Sequence, residues 1–99
     1  MKKQLLAASL LLCTHTAFAD DIAVGESLYN NKGCVGCHGV KGNSMIPINP
    51  KLQGQHAEYL KASFNAYKSG ARNNPIMSGM AALLSDEEMG QVAAYLAAQ

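Results

Sequence analysis

Cys34-Val35-Gly36-Cys37-His38 decides the reading of this 99-residue chain. Two thiols three residues apart, with an imidazole directly after the second, form the C-x-x-C-H pattern of covalent haem attachment. Each thiol can add to one of the two vinyl groups on a haem edge. The adjacent histidine is then held below the iron, where its neutral ring nitrogen becomes the proximal ligand. Gly36 leaves the loop room to turn tightly against the porphyrin. Three rival readings fit less well. A thioredoxin-like redox pair expects a strand before it and a βαβ context, and no strand pattern precedes Cys34. A structural zinc could recruit Cys34, Cys37, His38 and His56, but adjacent Cys37 and His38 cannot both reach one small tetrahedral ion without strain. A bare disulfide would close a tiny strained loop and leave His38 without a purpose.

Upstream, Met1-Lys2-Lys3 is a short basic leader and Leu5 to Leu12 an almost wholly apolar run, followed by the small-x-small sequence Ala17-Phe18-Ala19. This order predicts a secretory signal peptide over 1–19, cut after Ala19. The apolar run falls short of the roughly 20 residues that span a bilayer, so no membrane anchor is expected. Leu12 is too bulky for the small residue expected before a lipidated cysteine, so Cys13 leaves with the leader. Residues 20–99 then form one exported domain, placed in the periplasm. The leader holds two of the eight basic residues and none of the seven acidic ones, so a formal charge of +1 becomes −1. That balance speaks against nucleic acid or an anionic membrane as partner. A domain of this size builds a core worth only about 3–5 kcal/mol without a staple. With no Trp and two Phe, one of them in the leader, something else must fill the middle.

The rest of the chain is organised to surround such a filler. Asp20 and Asp21 offer an N-cap, and Ile22, Gly25, Leu28 and Tyr29 recur at helical spacing up to Lys32. Gly33 can end that helix just before the motif. From Gly39 to Gln55 the chain is rich in Gly, Asn and Pro and reads as an ordered loop. A second helix is predicted over 56–69, with Tyr59, Leu60, Ser63, Phe64 and Tyr67 on one face and Gly70 as its stop. The segment 71–84 reads as a second loop, holding Asn73-Asn74-Pro75 and two methionines. Ser85-Asp86-Glu87-Glu88 is a capping box, with Leu84 and Met89 as a hydrophobic staple. Met89, Val92, Ala93 and Leu96 give the stripe of a last helix. The expected architecture is all-α: three helices plus loops, without strands or repeats, around one covalent haem.

Taken in order, Cys34-Val-Gly-Cys-His-Gly39, Gly42-Asn-Ser44, Pro50-Lys-Leu-Gln-Gly-Gln55, Tyr59-Leu60, Ile76-Met-Ser-Gly-Met80 and Leu84-Ser-Asp-Glu-Glu88 through Ala93-Ala-Tyr-Leu96 resemble the class I c-type cytochromes. The likeness is to small bacterial monohaem proteins and to single halves of the bacterial dihaem cytochromes c, and it covers essentially the whole of 20–99. It implies that the first and last helices cross at a glycine and an aromatic, here Gly25 and Tyr95. It also implies that the Pro50 carbonyl accepts a hydrogen bond from the other ring nitrogen of His38, the one turned away from the iron.

The sixth iron ligand has five candidates: Met45, Met77, Met80, Met89 and His56. Met89 belongs to an apolar helix face. Met45 follows His38 by seven residues and, at about 3.3 Å per residue, could barely round a haem edge. His56 begins a helix and reads as a surface or capping residue. Met77 and Met80 share one loop, and either could be core filling, since Met is an adaptable packer. By the resemblance, Met77 is the ligand and Met80 packs on the haem face. A thioether opposite a histidine favours ferrous iron, so the expected function is electron transfer, not catalysis. The competing class is a haem peroxidase or small-gas sensor, which needs an open sixth position and polar distal groups. Expected partners are redox proteins of unspecified identity, the chain itself being a monomer. Lys32, Lys41, Lys51, Lys61, Lys68 and Arg72 read as a scattered solvated set, although the Arg72 guanidinium would suit a haem propionate.

Overall fold

The structure, a computed structural model, describes residues 18–99. Of the expected leader only Phe18 and Ala19 fall among these, and the rest of it lies outside the described residues. Helix α1 covers 18–31 of the described chain. Asp20 and Asp21 therefore sit inside helical residues and do not cap them: Phe18 and Ala19 continue the helix upstream. α1 turns Ile22, Gly25, Leu28 and Tyr29 inward, as their spacing predicts, and Tyr29 is completely buried. Gly33, at φ 89°, ends this segment in the left-handed conformation that glycine adopts at little steric cost.

The haem motif itself forms a short helix, α2 (Cys34–His38), followed by a 3-10 turn over Val40–Gly42. α3 (Ala57–Ser69) starts one residue later than expected, with His56 at its N-cap and Gly70 closing it in the left-handed conformation. α5 (Asp86–Ala97) begins where its capping box places it. The Ser85 hydroxyl accepts from the Glu88 amide at 3.2 Å, and the Glu88 carboxylate accepts from the Ser85 amide at 3.0 Å. Its stripe Met89, Val92, Ala93 and Leu96 is fully buried.

The segment 71–84 departs from expectation. It contains a helix, α4 (Pro75–Ala82), where a loop was predicted. Asn74 caps it, its side chain accepting from the Met77 amide at 3.0 Å, and Pro75 occupies the first turn. Proline lacks an amide that would be unpaired there anyway, and its fixed φ suits a helix start. Asn-Asn-Pro thus opens a helix in place of continuing a loop. Among the described residues the molecule is all-α, with five helical segments and no strand.

α3 lies against both α4 and α5. α1 and α5 meet at Gly25, where an added Cβ would stand 1.9 Å from the Gln91 carbonyl oxygen and 2.9 Å from Tyr95 Cβ. Only glycine permits that approach. One turn on, the Tyr29 and Tyr95 rings lie 5.6 Å apart at 48°, the tilted geometry favoured by aromatic pairs. The Gly25–Tyr95 crossing is present as expected, and it anchors the two ends of the chain beside the motif.

Candidate functional site

α2 is fastened from both sides. The Tyr29 hydroxyl donates to the Gly39 carbonyl at 2.5 Å. Burial pushes that phenol up to about 12, so it stays a donor throughout the physiological range. From the loop, two consecutive residues hold the other side: Asn49 Nδ2 donates to the Cys37 carbonyl at 3.0 Å, and His38 Nδ1 lies 2.8 Å from the Pro50 carbonyl. A carbonyl can only accept, so Nδ1 carries the proton and Nε2 keeps a lone pair. His38 is buried, at 7% exposure. The Pro50 contact appears as the resemblance implied. Asn49 was not anticipated, because a side chain that bonds a carbonyl twelve positions earlier leaves no local pattern.

Cys34 and Cys37 are free thiols, so the disulfide alternative is not formed. Burial raises the Cys34 thiol above its ordinary value, the reverse of what a reactive thiolate pair requires. Among the described residues no group of three His, Cys, Asp or Glu is placed to hold a metal ion, so the ligand set of a structural zinc is not assembled.

Two adjoining cavities, of about 510 and 80 Å³, share Cys37, His38, Leu52, Phe64, Ile76 and Met77 in their walls and form one slot. The larger is within the roughly 300–1,000 Å³ of cofactor sites. The inner end is closed by the buried side chains of Tyr29, Leu84, Val92 and Leu96. The outer end is polar, with Lys51, Gln55, Tyr67 and Arg72, the Arg72 guanidinium stacked 4.4 Å from the centre of the Tyr67 ring. An apolar slot with two thiols, an oriented imidazole and a polar mouth fits a haem, whose ring is apolar and whose propionates are not.

The five candidates for the sixth ligand separate cleanly by position. Met89 is completely buried in the core and Met45 is 85% exposed on the loop. Neither lines the slot, and nor does His56, which is exposed at the start of α3. Met77 lines both parts of the slot and Met80 only the inner one. The Met80 methyl group lies beside Gly33, 3.8 Å from where a Cβ would stand, over the start of α2. Both methionines are half-buried and share a face of α4, three residues apart.

Comparison with known proteins agrees with this site. The family model described as Cytochrome c matches residues 22–99. Cytochrome c-554(548) of Halomonas halodenitrificans is 44% identical over 84 residues, covering 82% of this chain and 99% of the relative. The thiosulfate dehydrogenase electron acceptor of Stutzerimonas stutzeri is 40% identical over 99 residues, covering 92% of this chain and 44% of the relative. The crystal structure of reduced recombinant cytochrome c4 from Pseudomonas stutzeri superposes with a TM-score of 0.70 at 30% identity, over 80% of this chain and 48% of that one. The chain thus spans nearly all of the first relative and less than half of the other two. With the C-x-x-C-H motif on α2 and a family match running from α1 to its last residue, the chain belongs to the cytochrome c family and takes a covalently attached haem c.

Proposed function

We propose that this electron-transfer haem protein works in the periplasm as a carrier with His38 and Met77 on opposite faces of the iron and Cys34 and Cys37 joined to the haem edge. The exported domain begins at Asp20. The observation that supports the reading is that His38 and Met77 both line the two adjoining cavities, while Met45 and His56 are exposed, Met89 is buried in the core and Met80 lines only the inner cavity.

Bound there, the haem supplies an iron that alternates between ferric and ferrous. The chain's own residues supply the rest. The Pro50 carbonyl fixes the His38 ring and its tautomer, the usual device for a metal-bound histidine. Met77 gives a neutral, soft thioether that favours the reduced state. Leu52, Phe64, Leu84, Val92 and Leu96 keep water from the inner end. With His38 and Met77 both available to hold the iron, the group would change oxidation state with little rearrangement of the chain. The inner slot offers apolar groups in place of the polar distal residues that peroxide chemistry needs. Cytochromes c work with redox partner proteins, and the Stutzerimonas relative is by its name an electron acceptor. No helix among the described residues is long and apolar enough to cross a membrane.

The test is the visible spectrum of the ferric protein, with cyanide binding to the ferric form and carbon monoxide binding to the ferrous form measured beside it. Met77→Ala should abolish the weak red-edge band of thioether-ligated ferric haem, lower the reduction potential and open the iron to both ligands. Met80→Ala should leave the band in place. The reverse pattern would move the ligand to Met80 and leave the carrier intact. Fast peroxide turnover by the unmutated protein would replace the carrier with an enzyme. An intact mass starting at a residue other than Asp20 would refute the cleavage site.

A further inference from the structure

We infer that Asn74 is the positioning residue for Met77, and that its side-chain cap sets how firmly the sixth coordination position is closed. The inference rests on Met77 being the ligand. Asn74, Pro75, Ile76 and Met77 are the N-cap and first three positions of α4, so the thioether is borne by the first turn of a helix of only eight residues. Helices this short are marginal without outside support, and the two ends of α4 are supported differently. Its C-terminal end is sunk in the core through Ala81, completely buried, with Leu84 just beyond. Its first turn is held more lightly: Pro75 is exposed, Ile76 is 73% exposed, and the half-buried Met77 alone reaches the edge of the core.

What ties that turn down is Asn74. Its Oδ1 accepts the amide of Met77 itself, at 3.0 Å, and its backbone carbonyl accepts the amide of Ser78 at 2.8 Å. Pro75 cannot donate, so among the described residues the Met77 bond is the side-chain hydrogen bond that caps the turn. Asn74 also stands in the wall of the outer cavity, at the place where the turn would lift to let another ligand in. When the cap is made, Met77 is held toward the slot. When the cap opens, the turn frays and takes the thioether with it, while the buried end of α4 stays in place. The cap is therefore a local latch on coordination.

The experiment uses the ferric holoprotein and imidazole as a competing neutral ligand, with urea unfolding measured alongside. Asn74→Ala removes the acceptor from an exposed position and leaves the fold intact. It should tighten imidazole binding about 2- to 30-fold, the equilibrium equivalent of losing an asparagine cap. Asn74→Ser, which restores a capping oxygen, should return affinity to within about twofold of wild type. Ser85→Ala removes the corresponding cap of α5 and should lower the urea midpoint without changing imidazole affinity. Met77→Ala sets the open limit. Wild-type imidazole affinity in Asn74→Ala, with Met77→Ala binding tightly, overturns the latch and spares the ligand assignment. An equal gain in Ser85→Ala also overturns it, since general loosening would then explain both. Unchanged spectrum and affinity in Met77→Ala overturn the ligand assignment and the latch together.

Discussion

α4 and α5 follow each other along the chain, each opens on a side-chain cap, and they do opposite work. α5 buries five of its residues, among them Met89, Val92 and Leu96, and crosses α1 at Gly25. α4 buries only Ala81 and turns Met77 and Met80 toward the slot. The cap of α5 is reciprocal, with Ser85 and Glu88 each satisfying the other's amide. That of α4 is a single bond from Asn74 to the residue proposed as ligand. One helix is held by the apolar area it removes from water, and its cap trims a structure already secured. The other buries less such area: it packs on α3 and through Ala81 at its C-terminal end, and its cap sits on the turn that carries the proposed ligand. On the proposed ligation, stability would rest mainly on one helix and redox chemistry on the other.

The largest effect should come from the core of α5. Met89→Ala leaves a cavity at a completely buried site and should cost about 2–5 kcal/mol in urea unfolding of the holoprotein. Met80→Ala on half-buried α4 should cost less than that range. If the two losses are equal, the division between the helices fails. Next comes the spectroscopic arm: Met77→Ala should cost little stability while abolishing the thioether band, and a loss as large as that of Met89→Ala would make α4 a core helix. Ser85→Ala should cost about 1 kcal/mol, within the usual 0.5–2 for a lost cap, with an unaltered visible spectrum. A shifted spectrum would show that α5 also governs the iron.

The smallest effect is one of pH. The Ser85 amide, bonded to the Glu88 carboxylate, holds that carboxyl below its ordinary value. A group with a depressed folded-state pKa contributes stability above its unfolded value, near 4.3, and loses it as pH falls through the folded value. The stability difference between wild type and Glu88→Gln should therefore be constant at neutral pH and shrink on acidification below about 4.3. A difference that grows in acid would mean that the capping box does not set this titration. The group is exposed, so salt should diminish the effect further.

The contrast also explains what was legible. The C-x-x-C-H motif, the capping box at Ser85 and the stripe from Met89 to Leu96 are complete within a few residues, and each appears where the spacing put it. The second helix, Gly33 and Gly70 as helix ends, and the Gly25–Tyr95 crossing held equally well. α4 was hidden because Asn73-Asn74-Pro75 serves equally to punctuate a loop and to start a helix, and because Ser78 and Gly79 are weak helix formers. The N-cap expected at Asp20 and Asp21 is not seen, since the described helix already includes Phe18 and Ala19.

By itself, then, the amino-acid sequence determined the helical class, the attachment motif, the position of the last helix and the shortage of core that a haem makes good. These rest on caps and periodicities, whose interactions join residues three or four apart and survive without knowledge of the fold. The resemblance had pointed to Met77, Met80 and the Pro50 carbonyl; only the tertiary structure decided that Asn49 joins Pro50 in gripping α2 and that 75–82 is helical. Those outcomes depend on groups brought together from twelve or more positions away, or on a segment whose local preference is too weak to choose alone. There packing chooses between conformations of similar local energy.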